Sequence, residues 1–217
     1  YVLPGMLDCH AHINDPGFTW REDLPHASEA AAVGGVTTLI DMPLQNTPPL
    51  TSADAFANKL AVFEGRSLVD YALWGGLVTD NTAELAGMAA AGAVGFKAFI
   101  APVSLGYSSV DMGLAREALF RIKAFGGLAG FHCEDHALIC AGEAKARAGG
   151  GTRRAFLDSR PVVAEVIATA NVIELARETG ARVHICHVSH PRVAELVRRA
   201  QADGLSVTGE TCPHYLV

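Results

Sequence analysis

Two imidazoles stand one residue apart in "LDCHAH", at His10 and His12. In an extended strand, alternate residues face the same side about 6.6 Å apart along the chain, so one cation would take both rings. A hydrogen-bonded core strand could carry the same pair, and the spacing alone does not separate the two readings. Lys97 is more pointed, because "GAVGFKAFIA" is otherwise without charge. An ammonium buried there faces a desolvation cost, and repulsion from any cation nearby. Either the side chain snorkels to water, or its neutral amine captures carbon dioxide. The resulting carbamate would be an anionic oxygen ligand able to bridge two cations where Asp would be too short. His132 in "FHCED" and His187 in "ICHVS" complete the candidate set.

These residues need a scaffold that brings them together. Seven short apolar or β-branched runs recur along the chain: "YVLPGMLDCHAHI", "GVTTLIDMPL", "VDYALWGGLVT", "AVGFKAFIA", "LAGFHCE", "ARVHICHVS" and "LSVTGETCP". Stretches of helical character separate them. "EDLPHASEAAAVGG" stops at Gly34 and Gly35, and "TSADAFANKLAVFEG" opens at Thr51 or Ser52 and closes at Gly65. "SRPVVAEVIATANVIELARETG" predicts a helix with Ser159 as cap, Pro161 in the first turn and Gly180 at the stop; "SHPRVAELVRRAQADG" repeats that asymmetry. Strand and helix alternating about every 30 residues is the cadence of parallel βαβ units. Periodicity fits a doubly wound sheet or a (β/α)8 barrel equally.

The polar exceptions favour the barrel. In a buried parallel strand the interior is apolar, and His10, His12, Lys97, His132 and His187 all fall late in their runs. They would gather at one rim, where barrel chemistry sits. The expected fold is α/β, an incomplete TIM-type barrel of about seven βα units forming one domain over residues 1–217. Alternation would turn Cys9, Cys133 and Cys186 to the opposite face as small apolar fillers, and His184 with them as a structural histidine.

Composition narrows the partners. The formal net charge is -6, 18% of residues are charged, and no Lys/Arg-rich block is present, which argues against nucleic acid and anionic membranes. No apolar stretch approaches the roughly 18 to 20 residues of a membrane span. The five cysteines include no CxxC pair, so neither a disulfide framework nor a zinc knuckle is suggested. The chain reads as a cytoplasmic protein acting on a small molecule. It opens at Tyr1 with an apolar segment under way, and the expectation is that it belongs to a longer polypeptide.

"PGMLDCHAHINDPG", "GGVTTLIDMPLQNTPP", "GFKAF", "HCED", "CHVS" and "ETCPHYL", in this order, resemble the cyclic amidohydrolases of the amidohydrolase superfamily, and the allantoinases among them most closely. The resemblance runs from Tyr1 to Val217. It implies a (β/α)8 barrel with two divalent metals, zinc in most members. By motif, His10 and His12 would bind the more buried metal, carbamylated Lys97 would bridge the pair, and His132 and His187 would bind the second. It also implies a general-base Asp at the end of the eighth strand, beyond Val217, and a small β-sandwich, both lying outside this sequence. If these residues are the whole molecule, catalysis by them alone is not expected. Relatives are commonly tetramers, so a homo-oligomer is expected.

The reaction implied is hydrolytic opening of a cyclic amide, and the pocket residues bear on which. Dihydroorotases of the family place an Arg two residues after the HxH, where this chain has Asn14; dihydropyrimidinases and hydantoinases place a Tyr five residues after the Lys, where it has Pro102. Allantoin, an uncharged cyclic ureide opened to allantoate, fits both differences. Dihydropyrimidinase, hydantoinase and dihydroorotase activities stay open, as does a non-catalytic scaffold relative. Asn14 is the candidate substrate contact, with capping of the turn before Pro16 as its plainer role. Tyr107, Ser108 and Ser109 would lie in the loop over the mouth, and His214 beside the rim without a catalytic role. Glu134 and Asp135 would orient His132 or cap the following helix.

Overall fold

A computed structural model describes residues 1–103 and 107–216; the "SLG" that precedes Tyr107 and the final Val217 lie outside the described residues. The chain divides into two compact units, one comprising Tyr1–Lys97 with Tyr107, the other the rest of the described chain from Ala98 onward.

In the first unit β1 (Met6–Ala11), β2 (Val36–Asp41) and β3 (Asp70–Leu73) form a parallel sheet in that order, linked by α1 (Leu24–Val33) and α2 (Ala53–Phe63). Both helices start on side-chain caps, Asp23 accepting from His26 N–H and Ser52 from Ala55 N–H, which satisfies donors that have no partner within the helix. The third apolar run is interrupted at Trp74. The Trp74 N–H bonds back to Asp41 O at 2.9 Å, whereas the next residue, Gly75, bonds to Gly95 O at 2.8 Å. The run therefore changes partner, and a short β4 (Gly75–Gly76) pairs in parallel with the start of β5 (Phe96–Phe99), placing Gly76 opposite Lys97. Glycine is required on β4. A Cβ at Gly75 would stand 3.0 Å from the Phe96 ring, and one at Gly76 2.8 Å from the Tyr107 hydroxyl. α3 (Leu85–Ala90) follows β4 and buries Leu85 and Met88.

The second unit takes in Ala98 and Phe99 at the end of β5 and places β6 (Leu128–His132), β7 (Arg182–Ile185) and β8 (Val207–Gly209) side by side, with parallel pairing of β6 to β7 and of β7 to β8. The covering helices are α4 (Met112–Ala124), α5 (His136–Ala148), α6 (Arg153–Asp158), α7 (Val162–Thr179) and α8 (Pro191–Ala202); a 3-10 turn (Pro213–Tyr215) follows β8. Each of the seven runs read from the sequence holds a strand, the third holding two, and α/β units with parallel strands are the architecture expected. Among the described residues no helix is long and apolar enough to cross a membrane.

One cap differs from expectation. Ser159 does not open α7. It closes α6, its hydroxyl donating to Phe156 O at 2.6 Å, and Pro161 occupies the position before Val162. A proline disfavours helical backbone in the residue before it, so Arg160 breaks the path and α7 begins afresh. Gly180 ends α7 as expected, at φ 65°.

The packing of α5 against the α6–α7 link yields a test with an unusual sign. Gly142 lies within α5, where Ala is normally favoured by about 1 kcal/mol. A Cβ there would sit 2.3 Å from the Ser159 carbonyl oxygen. Gly142→Ala is therefore expected to destabilise by about 1–3 kcal/mol, because backbone must shift to admit it. Thermal unfolding measures this, and a raised Tm would contradict it.

Candidate metal centre

Each unit presents its own group of ligand-type side chains. In the first, β1 carries His10 and ends at Ala11, so His12 follows directly. Their ring centroids lie 5.3 Å apart at an interplanar angle of 48°, on the same side of the chain as alternation predicts. Lys97 sits in β5, a strand buried at every position, and is itself 0% exposed. Its carbonyl is gripped twice, by Leu77 N–H at 2.8 Å and by the Tyr107 hydroxyl at 2.6 Å. Tyr107 is thus a buried strut under the Lys97 backbone, and burial pushes its phenol far above the ordinary range.

His12 is an exposed residue. Even so, desolvation by the surrounding protein, followed by the positive charges of His10, Lys97, Lys59 and Arg21, lowers its pKa to about 4. At neutral pH the ring is uncharged, the form that ligates metal. His10 and Lys97 are thus both near enough for their charge to act on His12.

Behind them lies a cluster that the sequence did not signal. Asp41 ends β2 at 0% exposure and accepts from Ile13 N–H at 2.6 Å. Its other oxygen pairs with Lys59 of α2, a side chain 1% exposed that also donates to Ile13 O at 3.0 Å and Asn46 Oδ1 at 2.5 Å. Burial pushes the Asp41 carboxyl up to about 6 and the Lys59 amine down, and the attraction between them opposes both shifts. Both backbone groups of Ile13, next to His12, are held by this pair.

In the second unit His132 closes β6, and His187 lies just past β7 with its backbone in the left-handed region at φ 39°. A non-glycine residue there is uncommon and costs energy. His132 Nδ1 and His187 Nε2 are 3.2 Å apart. Two nitrogens each about 2.0–2.1 Å from one tetrahedral zinc would be roughly 3.3 Å apart, so this pair has the bite of a single cation. Phe99 stacks on the His132 ring at 4.9 Å. Glu134 Oε2 meets His132 Nε2 at 2.7 Å, and Asp135 caps α5 by accepting from Leu138 N–H. The two acidic residues thus divide the roles anticipated for them. Burial raises the Glu134 carboxyl, but its bond to His132 and the charges of His132 and Arg160 outweigh this and hold it below the usual range. Phe99, His132, Glu134, Arg160, Glu165 and His187 line a cavity of about 320 Å³.

Cys133 and Cys186 are buried, but both line the cavity that His132 and His187 line rather than facing away from it. Strand alternation misplaced them because β6 ends at His132 and β7 at Ile185, so neither cysteine belongs to a strand. Cys9 is exposed rather than a buried filler. His184 is structural, tied to Thr208 Oγ1 at 2.8 Å between β7 and β8. Asn14 is 4% exposed and donates to Gln45 Oε1 at 3.1 Å. Ser109 Oγ stands 3.5 Å from His136 Nδ1, and His214 is an exposed member of the 3-10 turn.

With this geometry established, comparison with known proteins is informative. Residues 1–192 match the model of the Dihydro-orotase-like family. The chain is 40% identical to an allantoinase of Streptomyces avermitilis over 99% of its own length and 48% of the relative's. It is 41% identical to an allantoinase of Bacillus velezensis, over 100% and 48% respectively. Among solved structures it resembles the L-hydantoinase (dihydropyrimidinase) of Arthrobacter aurescens, with a TM-score of 0.92 and 39% identity over 98% of this chain and 48% of that one. The chain therefore spans about half the length of the curated relatives it matches.

Proposed function

The chain belongs to the Dihydro-orotase-like family, and on that premise we propose that the protein is a metal-dependent cyclic amidohydrolase that opens a cyclic ureide, allantoin to allantoate. In this reading His10, His12 and Lys97 of the first unit and His132 and His187 of the second hold two divalent metal ions, zinc by preference. Lys97 serves as a carbamate formed with carbon dioxide. Divalent cations held by these residues would supply Lewis-acid chemistry, lowering the pKa of a bound water from 15.7 towards about 7 and polarising a carbonyl. The chain's own groups do the rest of what can be assigned. His12 is held neutral and ready to ligate, Glu134 keeps the proton on Nε2 of His132, and Asn14, presented by Gln45, is the substrate contact.

The observation that carries the reading is the His132–His187 pair, whose nitrogens stand 3.2 Å apart. An uncharged ring is supported by the cavity beside that pair. Arg160, which lines it, is engaged by Glu134 at 2.7 Å and Glu143 at 2.8 Å, leaving its guanidinium committed rather than open to a substrate carboxylate. The allantoinase relatives support the same choice.

Metal analysis of the full-length protein that carries this chain, with a ring-opening assay on allantoin, hydantoin, dihydrouracil and dihydroorotate, tests it. The expected outcome is two metals per chain, with the highest kcat/KM on allantoin. Preference for hydantoin or dihydrouracil would follow the L-hydantoinase likeness instead. No turnover of any of the four by the metal-loaded full-length protein would favour a scaffold.

A further inference from the structure

Arg160 lies in the link between α6 and α7 and is fixed on three sides. Its Nη1 donates to Glu134 Oε2 at 2.7 Å, its Nη2 donates to Glu143 Oε1 of α5 at 2.8 Å, and its guanidinium lies 5.2 Å from the Phe156 ring centre. Glu134 Oε2 is the same oxygen that meets His132 Nε2. A carboxylate only accepts, so in the neutral ring the imidazole proton is on Nε2 and the lone pair is on Nδ1, the nitrogen aimed at His187.

We propose that Arg160 is a positioning residue: by bridging Glu134 to α5 it pins the carboxylate on His132 Nε2 and so fixes the tautomer in which Nδ1 is the ligand atom. The proposal deepens the metal-hydrolase reading and rests on it for its consequence, though not for its geometry. Glu134 follows β6 in a connecting segment, and its side chain has several staggered rotamers of similar energy when nothing holds it. Only one of these meets Nε2. A planar fork binding two carboxylates from separate elements removes that freedom, and a lysine, with a single point of charge, cannot span both.

The test reads the tautomer directly. In metal-free protein with 15N-labelled histidine, at a pH where the ring is neutral, wild-type His132 is expected to give the Nε2–H pattern alone. Arg160→Met is expected to give a mixture of tautomers, and Arg160→Lys an intermediate distribution. Zinc titration of the same proteins should show affinity at one of two sites weakened about 10- to 100-fold in Arg160→Met, the range for loss of a group that orients a ligand. The other site should be unchanged. Arg160 is 29% exposed, and unfolding curves check that the variants stay folded. If Arg160→Met nonetheless fails to fold, Arg160→Lys decides alone. A wild-type tautomer pattern in a folded variant overturns the proposal. If wild-type protein takes up no zinc while the tautomer shifts as expected, the metal reading fails and the positioning role of Arg160 stands.

Discussion

In the full-length protein, replacing Lys97 with Met is expected to remove metal loading and to lower ring opening by on the order of 10³-fold or more, beyond the roughly 10–100-fold typical of losing a group that only orients a ligand. The reason lies in where β5 puts the side chain. All of Phe96, Lys97, Ala98 and Phe99 are buried, so the amine has no route to bulk water by snorkelling. It is held among groups that carry positive charge or lone pairs, and its charge is one of those that depress His12. Carbamate formation would replace that buried cation with an anionic oxygen ligand. Methionine has similar length and no charge, so it should fill the space with a stability change below about 1.5 kcal/mol. The measurement is threefold: metal content, turnover, and the carbamate signal from protein equilibrated with 13C-labelled bicarbonate. Wild-type protein should show that signal and the variant should lack it. A Lys97→Met protein that retains both metals and near-normal turnover would overturn the proposed role of Lys97 as a ligand.

The parts of this site that could be read from the sequence are those that break a local pattern. His10, His12 and His132 stand at or just past the ends of apolar runs, and Lys97 interrupts one, so each is an exception visible within a few residues. The turn of Trp74 from Asp41 to Gly95 was hidden, because a run continuous in sequence gives no sign of which neighbour it pairs with. Asp41 and Lys59 were missed for a different reason. Asp41 follows "TLI" and precedes "MP", as many turn-forming aspartates do, and Lys59 lies in an Ala-rich helix where a lysine normally faces water. Their meaning comes from each other and from the backbone of Ile13, at sequence distances of 18, 28 and 46 residues. Arg160 is similar, since "SRP" advertises only the helix start while its partners lie 26 and 17 residues away. The cysteines show the opposite error, in which a sound rule was carried past the end of the strand it governs.

Lys59→Met is expected to be the most destabilising single change in the first unit, at about 3–5 kcal/mol, the range for leaving one member of a buried ion pair without its partner. Asp41 is 0% exposed, and its bond to Ile13 N–H compensates only one of its two oxygens. Removing the ammonium also frees Ile13 O and Asn46, both of which Lys59 now holds, so the chain segment carrying His12 loses its anchor along with the charge. The loss should depend on pH in a defined direction. Burial already raises the folded-state pKa of Asp41 from 3.8 to about 6 with Lys59 present, and without that opposing charge it should rise further. An acid whose folded pKa lies above its unfolded value binds more protons when folded across that window. Stability therefore increases as pH falls towards the unfolded value, and the penalty of Lys59→Met should be largest at pH 8 and shrink by pH 5. The double variant Asp41→Asn, Lys59→Met has no charge left to bury and should recover most of the stability. It should not recover full metal affinity at His10 and His12, because Asn and Met do not restore both bonds to the Ile13 backbone. Chemical denaturation of the three proteins at two pH values, with zinc titration beside it, separates the two effects. A Lys59→Met penalty that is constant with pH would mean that Asp41 is not the group left unpaired.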